Sequence, residues 1–569
     1  MGKSFIASKF RSVLIVSTFA MLGEYLVLLS DNLIAGNILG ESALSAITLV
    51  TPFFSFAVFL AFLIALGTDI VISRCVGQMD RQQANNFFSQ AVILCVGLGL
   101  ALTIIYLFAG DYILGMFQAE PAIVDYAKEY LRFIKWLPLP LMLNNLFYQI
   151  VLNDGGEKYC TIGSGVQLFG NIVLSAVLCM IMGISGISLA TVIANCAESI
   201  ILLIYLFTSS TEVRFVWYIN GRSILSVLKY SINDSIVYLY MTIFESVLNV
   251  FLLREVGSGA IITFSVIVNL VSLLNNGFDG VGEAISPLVN VYQGEENQIG
   301  IKKTMKVANK TALIEGVGVM ILLFVLSPVI PRMFGIHDSI LIKQTAISVC
   351  IYAIVSIAFS FAMLYTSYYI YIERIGLSLV MTTLYQLVIP LICAIAGGKL
   401  FGMYGVWGGM SVGGILALIC DACIVKFFYK DKTFPYLLDK KILETQLSYD
   451  AAENQEGVMQ IVDQVERDLK ERNVPEKRVY RTMLLIEETE MLAVEKSNQK
   501  KGMIECTIFI KADELVLILR DNGMRNDVTD INGNVTSFRT FAGLNIIGNH
   551  RKKGYILTSG YNRTIYHVD

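Results

Sequence analysis

The stretch LLSDNLIAGNILG, Leu28 to Gly40, places one carboxylate, Asp31, inside a long apolar run over residues 12–36. A run of about 20 apolar residues can cross the hydrocarbon core of a bilayer as a helix. A charge at mid-bilayer costs about 2.5–3.5 kcal/mol on insertion scales, so such residues usually face a cavity and belong to ion or proton paths. The stretch therefore predicts a membrane helix with a functional acid. A structural hydrogen bond from Asp31 to a neighbouring Asn or Ser is the alternative.

The composition extends this interpretation to most of the chain. Of 569 residues, 55% are hydrophobic and 16% are charged, whereas soluble proteins carry roughly 25% charged residues. The chain begins with a short basic segment without a signal-peptide cleavage site, as expected of a membrane protein that keeps its first helix. Roughly twelve apolar runs are long enough to span a bilayer. They lie near residues 12–36, 43–73, 87–109, 122–152, 161–181, 185–209, 224–254, 258–291, 305–330, 340–371, 375–398 and 402–428.

The loops between these runs indicate the orientation. Lys and Arg are concentrated after the second, sixth, eighth and twelfth runs, while the loop Gly110 to Pro121 has none. By the positive-inside rule, both termini are predicted to be cytoplasmic in the plasma (inner) membrane. After Tyr429 the sequence becomes charged and predicts a soluble α/β domain, with helices over 454–472 and 476–497 followed by adjacent strands.

An internal repeat divides the membrane part into halves. ILGESALSAITLV (Ile38 to Val50) aligns with EVGSGAIITFSVI (Glu255 to Ile267), about 217 residues later, and MGISGISLA (Met182 to Ala190) aligns with FGMYGVWGG (Phe401 to Gly409), about 219 later. Repeated halves around a central site are typical of alternating-access transporters. The predicted units are an N-lobe (1–215), a C-lobe (216–430), a linker (431–446) and a C-terminal domain (447–569).

Three segments resemble the multidrug and toxic compound extrusion (MATE) transporters. They are SDNLIAGNILGESALSAI from Ser30, GTDIVISRCVGQMDRQQA from Gly67, and LFGNIVLSAVLCMIMGISGISLATVIA from Leu168. The resemblance implies a multi-pass α-helical membrane protein with twelve helices in two six-helix lobes. It also implies export of a small-molecule substrate in exchange for Na⁺ or H⁺.

The same resemblance implies the coupling residues. In some members of the family, oxygen ligands for the cation come from helices 1, 5 and 6, and the matching positions here are Asp31, Asn171, Ser175 and Thr191. Ser175 replaces the second acid of the family pattern, which favours a proton on Asp31 over Na⁺. Other members use a Glu on helix 7, for which Glu245 is the counterpart. Two further acids, Asp69 and Glu283, are expected near cytoplasmic helix ends that water reaches, and Glu198 is expected to be a helix-packing partner.

The C-terminal part resembles the histidine-kinase-like ATPase fold in the small form found in anti-sigma factors. Four pieces occur in the family's order: RTMLLIEETEMLAVEKSN, LRDNGMRND, FAGLNIIGNH and GYNRTIYHV. The resemblance implies an ATP site made by Glu487, Glu488, Asp521, Gly523, Gly543 and Thr564. The Asn that holds Mg²⁺ in the family is replaced by Met491 or Leu492, so a nucleotide-binding domain without efficient turnover and a degenerate scaffold are both open.

The predicted function is cation-coupled export of organic compounds, with drug-like cations among the expected substrates, regulated by the C-terminal domain. A lipid-linked saccharide flippase and a membrane-bound anti-sigma-like signalling protein are the alternatives. No catalytic residue, structural metal or nucleic-acid partner is expected: the pair Cys420 and Cys423 lies in an apolar run, and a GxxxxGK[ST] phosphate loop is absent from the sequence. The expected partners are the substrate, the bilayer and a cytoplasmic regulatory protein.

Overall fold

The computed structural model of the chain describes a membrane part of long helices and a C-terminal sheet domain. The described residues are 4–39, 41–115, 121–207, 213–221, scattered positions between 222 and 250, 251–256, 258–333, 336, 338–496, 502–511, 513–523, 553–558 and 561–568.

The first half of the membrane part contains seven described helices. They are α1 (Phe5–Leu39), α2 (Glu41–Gly77), α3 (Arg81–Gly115), α4 (Pro121–Ile134), α5 (Pro138–Asn153), α6 (Glu157–Met182) and α7 (Ile184–Leu206). The predicted run 122–152 is divided between α4 and α5. The break falls immediately before Pro138, which lacks the backbone donor that would continue α4.

The second half is more broken. It contains a π-helical turn (Leu252–Val256), α8 (Ser258–Gly294), α9 (Gln298–Leu326), α10 (Ile330–Met333), α11 (Ser339–Ala353), α12 (Ser356–Tyr371), α13 (Ile375–Thr383), a second π-helical turn (Leu384–Val388) and α14 (Ile389–Phe428). The predicted run 224–254 is described only at scattered positions before residue 251. The run 340–371 is bent by 46° between α11 and α12.

The same backbone conformation recurs at the two predicted repeat positions. Gly183, between α6 and α7, has φ 66° and ψ −146°, and Gly402, inside α14, has φ 62° and ψ −145°. This region of conformational space is essentially restricted to glycine. Each glycine thus turns the chain from one apolar helix directly into the next.

Within the described residues, six helices are long and apolar enough to cross a membrane, or seven if the bent pair α11–α12 forms one span. One of the six, Ile375–Phe428, joins the two runs predicted over 375–398 and 402–428 across the turn at Gly402. The structure therefore establishes a multi-pass helical membrane protein, and the count of twelve spans stays a prediction.

The C-terminal domain is an antiparallel sheet with two helices on one face. Its elements are a hairpin of β1 (Lys432–Thr433) and β2 (Leu438–Asp439), then α15 (Lys440–Glu444), β3 (Gln446–Ala452), α16 (Gln455–Glu471), α17 (Glu476–Lys496), β4 (Met503–Ile510), β5 (Leu515–Asp521), β6 (Lys553–Thr558) and β7 (Tyr561–Val568). The sheet order is β3-β4-β5-β7-β6. Both predicted helices are present, and the segment predicted as a linker is a folded hairpin and a helical turn.

The opposite face of the sheet packs against the membrane part. Along β4 and β5 the side chains alternate, so that Cys506 and Leu519 face the helices, while Glu505 and Arg520 face the end of α8. The hairpin is also attached to the membrane part, because the hydroxyls of Tyr368 and Tyr369 on α12 donate to backbone carbonyls of residues 436 and 435.

Candidate functional site

The four predicted coupling residues of the N-lobe converge around Asp31. The Asp31 carboxylate on α1 is only 3% exposed. Ser175 on α6 donates its hydroxyl to Oδ1 at 2.9 Å, and Thr191 on α7 donates to Oδ2 at 3.0 Å. Asn171 on α6 donates from Nδ2 to the Thr191 hydroxyl at 3.1 Å. Three helices therefore place a connected polar group inside an apolar lobe.

The local sequence explains how the helices come this close. Asn171 and Ser175 are four residues apart, so they lie on one face of α6. The turn at Gly183 folds α7 back onto α6, and Gly186 lies so near that a Cβ there would be 2.2 Å from the carbonyl oxygen of Leu178. A glycine at this crossing is thus required for Thr191 to reach the Asp31 carboxylate.

The chemistry of the cluster suits a proton or a small hard cation. Its atoms are oxygens of a carboxylate, an amide and two hydroxyls, which hard cations prefer. The Oδ1 atom of Asn171 is buried and has no hydrogen-bond partner among the described residues. None of the ion pairs found in the described part of the chain involves Asp31. One acid with neutral oxygens fits a monovalent ion better than a divalent metal, and no group of three His, Cys, Asp or Glu suited to a metal occurs within the described ranges.

Glu198 forms a second buried acid cluster in the same lobe. Its two carboxylate oxygens accept hydrogen bonds from Ser164 on α6 at 2.9 Å and from Asn144 on α5 at 2.7 Å. The arrangement fits the expected packing role and closely parallels the cluster at Asp31. Glu245, the predicted alternative coupling residue, lies outside the described residues.

Asp69 differs from its expected environment. It was expected in a water-accessible position, yet it is 3% exposed and accepts a hydrogen bond at 2.8 Å from Ser286 on α8. The partners belong to opposite halves of the membrane part, and Asp69 also lines a small cavity beside Asn153 and Asp154, so its access to water stays a prediction. Partners more than 200 residues apart leave no local pattern in the sequence, which is why the contact was missed.

The C-lobe contains an apolar cavity lined by five aromatic side chains and a similar number of aliphatic ones. Its polar lining is contributed mainly by the second π-helical turn, which carries Tyr385 and Gln386. The remaining lining residues are Phe244, Phe264, Val268, Val271, Tyr352, Val355, Phe359, Pro390, Met410 and Gly414. π-Helical turns often occur at functional sites, and aromatic walls suit flat apolar or cationic molecules.

In the C-terminal domain, the predicted adenine-reading Asp521 is buried at the end of β5. It accepts hydrogen bonds from Asn562 Nδ2 at 2.8 Å and from the Gly523 backbone at 3.0 Å. Burial raises the pKa of Asp521 to about 6. A Cβ at Gly523 would lie 2.6 Å from a Glu453 carboxylate oxygen, so the backbone must approach Glu453 closely here.

The other predicted nucleotide-site residues are only partly brought together. Thr564 on β7 pairs across the sheet with Leu519, two residues before Asp521. Glu487 and Glu488 are half-buried on α17, and Gly543 lies outside the described residues. The sequence did not point to Glu490, which is fully buried near Asp521 and Glu453, and burial raises its pKa well above the ordinary value. Met491 and Leu492, which replace the Mg²⁺-binding Asn, are buried in the domain core.

Comparison with known proteins identifies the membrane fold. Residues 17–181 match the MatE family model. The multidrug export protein MepA of Staphylococcus saprophyticus is 24% identical over 329 residues, which are 56% of this chain and 72% of MepA. MepA of Staphylococcus haemolyticus is 26% identical over 314 residues, or 53% of this chain and 68% of that protein.

Two solved structures show the extent of the fold. A multidrug resistance MATE family transporter of the MOP superfamily in an outward-facing conformation has a TM-score of 0.69 and 22% identity, over 75% of this chain and 96% of its own. A MOP superfamily transporter from Pyrococcus furiosus, described with a binding pocket of reverse polarity, has a TM-score of 0.68 and 22% identity over the same shares. The membrane part therefore has the MATE fold, whereas these matches assign no family to the C-terminal domain.

Proposed function

We propose that this chain, whose membrane part has the MATE fold, is a secondary transporter that exports organic compounds in exchange for H⁺ or Na⁺. The observation that carries the proposal is the buried cluster of Asp31, Asn171, Ser175 and Thr191. The names of the similar Staphylococcus proteins, multidrug export proteins, support the substrate class. Both termini face the cytoplasm in this proposal.

The cluster acts by changing the charge of one buried carboxylate. Ionised Asp31 is stabilised by hydrogen bonds from two hydroxyl groups, one on α6 and one on α7. These hydrogen bonds weaken when a proton or a cation neutralises the carboxylate. The packing of α1 against α6 and α7 then differs between the two charge states. An ion shifts a conformational equilibrium only through its different affinity for the two states, and Asp31 supplies that difference.

The aromatic cavity of the C-lobe supports a site for the exported compound. Its described lining contains aromatic rings and a single amide, Gln386. Such walls accept flat apolar molecules and, through cation–π contacts, delocalised organic cations. Substrate and coupling ion would then occupy different lobes and communicate through the interface between them.

The test is counter-transport of ethidium in proteoliposomes under an imposed pH or Na⁺ gradient. We expect gradient-driven transport by the wild type and its loss, by at least tenfold, in Asp31→Asn. The matched control is Glu198→Gln, because Glu198 is a buried acid of the same lobe with an equal number of hydroxyl or amide donors. This control should keep gradient-driven transport, and the effective gradient identifies the ion.

The outcomes separate the possible functions. Equal loss in both variants would mean that any buried charge of the lobe is needed for folding, and the coupling role of Asp31 would be rejected. Binding of ethidium by the wild type without transport under either gradient would reject the exporter and favour a flippase or a sensor.

The C-terminal domain is proposed to be a regulatory nucleotide-binding domain. The carboxylate of Asp521 at a strand end supports recognition of a purine amino group, because a carboxylate oxygen can accept a hydrogen bond from that group. The apolar Met491 and Leu492 argue against Mg²⁺-dependent hydrolysis, and the domain is therefore proposed to bind ATP without turning it over efficiently.

A further inference from the structure

The sheet of the C-terminal domain covers the junction between the two halves of the membrane part. Two segments meet at this junction. One is the C-terminal end of α2 in the first half, residues 72–80, and the other is the end of α8 with the α8–α9 connection in the second half, residues 291–297. At their closest point Gly77 and Gly294 touch, because a Cβ on Gly294 would lie 3.1 Å from the Gly77 Cα. Arg74 adds an ion pair to Glu373 at 2.7 Å. We call this region the seam.

Four charged side chains are buried between the sheet and the seam: Arg520, Arg563, Glu295 and Glu505. Arg520 on β5 forms ion pairs with Glu295, in the α8–α9 connection, and with Glu505 on β4, the latter at 2.9 Å, and all three side chains are 0% exposed. The guanidinium of Arg520 also lies over the ring of Tyr292 at 4.9 Å, and the Tyr292 hydroxyl donates to Glu505 at 2.9 Å. These contacts attach the domain to the second half.

Arg563 on β7 connects the two halves with one side chain. Its Nε lies 2.6 Å from Oε1 of Glu295 in the second half. Its Nη2 donates to the carbonyl of Gly77 at 2.9 Å, and Nη1 donates to that of Val76 at 3.3 Å, both at the end of α2 in the first half. The two halves cannot separate at the seam while these contacts hold.

Two arginines and two glutamates give a balanced cluster, and breaking a buried pair leaves an uncompensated charge. Separation of the domain from the seam therefore requires these buried charges to reach water or to find other partners. Lys303, which pairs with Asp450 at 2.6 Å, is a further contact between domain and membrane part, but it reaches the second half alone.

We propose that the C-terminal domain is a lock that holds the seam closed through Arg563. Alternating access opens a transporter to each side in turn, so the seam must part once in every cycle if the chain is an exporter, and in that respect the inference rests on the proposed function. Release of Arg563 from Gly77 and Glu295 permits this opening. The lock thereby sets the rate at which the central path opens towards the side that carries the domain.

The test compares Arg563→Gln with Lys303→Gln in the full chain in proteoliposomes. Hydrogen–deuterium exchange of residues 72–80 and 291–297 reports opening of the seam without requiring transport, and ethidium flux reports the cycle. We expect Arg563→Gln to raise exchange at the end of α2 at least fivefold and to raise flux several-fold. Lys303→Gln should change neither, although it also removes a contact of the domain.

Glu295→Gln provides a second variant if Arg563→Gln does not fold, which size-exclusion chromatography and the exchange of β4 would reveal. Unchanged exchange at the seam in both variants would overturn the lock. Increased exchange with unchanged flux would also overturn it, because the domain would then bind the seam without limiting opening. Absence of gradient-driven flux in the wild type would reject the proposed exporter, while exchange would still decide whether Arg563 closes the seam.

Discussion

At the scale of the residue, Asp521 gives the C-terminal domain a measurable pH dependence. Burial raises its pKa from 3.8 to about 6, against the opposing effect of donors from Asn562 and Gly523. The folded chain thus holds this proton more tightly than the unfolded chain. The stability from the proton is fully present below pH 3.8 and is lost as the pH rises through about 6, a change of roughly 3 kcal/mol.

We expect Asp521→Asn to remove this loss, because a neutral amide keeps an oxygen that can accept both hydrogen bonds. At pH 7 the β5 and β7 amides of the variant should exchange with deuterium more slowly than those of the wild type, after correction for intrinsic rates. At pH 4 the difference should be small. Asp463→Asn, on the exposed face of α16, is the control and should behave as wild type at both values.

The residues of the candidate coupling site show what a sequence can and cannot predict. Asp31, Asn171, Ser175 and Thr191 were identified from a family resemblance, and the structure places them within hydrogen-bond distance of one another. Their role in coupling stays a prediction. Glu490 was missed because its importance comes from burial beside Asp521 and not from its position in a motif.

At the scale of the element, the glycine turns at Gly183 and Gly402 join consecutive helices through a conformation that disfavours a side chain. We expect Gly402→Ala to destabilise the folded chain by about 1–3 kcal/mol, because a side chain is strained at φ 62° and ψ −145°. Thermal unfolding in detergent measures the effect. Gly318→Ala, in α9 where a Cβ meets nothing within 4 Å, should leave the transition unchanged or raise it.

A transition temperature of Gly402→Ala equal to that of Gly318→Ala would contradict the turn assigned to Gly402.

The membrane helices also show a limit of prediction from hydropathy. The runs 122–152 and 340–371 were each predicted as single spans, yet they break before Pro138 and after Ala353. An apolar run gives the length of a buried segment but not the points at which it bends. The helices α16 and α17 were predicted closely because their polar and apolar residues recur with the helical period, and Asn454 caps the start of α16.

At the scale of the whole molecule, the charge balance beneath the sheet determines how firmly the domain is attached. Removal of Arg520 leaves Glu505 without its arginine, and Arg563 alone remains beside Glu295. We expect Arg520→Gln to weaken docking of the domain by about 3–5 kcal/mol. Proteolysis within residues 431–446 of the full chain measures this docking.

The double variant Arg520→Gln, Glu505→Gln restores neutrality, with Arg563 facing Glu295. We expect it to recover part of the resistance to proteolysis that the single variant loses. A double variant as sensitive as the sum of the two single variants would show that charge balance does not hold the domain in place.

The alternation of side chains along β5 and β7 has a consequence for communication. The side chains of the consecutive residues Arg520 and Asp521 point to opposite faces of the sheet. Across the strands, Arg520 is paired with Arg563 and Asp521 with Asn562. Any molecule that engages Asp521 and Asn562 is separated from the seam by one peptide unit on each strand. A signal would therefore cross the thickness of a single sheet, and a small change of strand twist would be enough to convey occupancy of the Asp521 face to the seam on the opposite face.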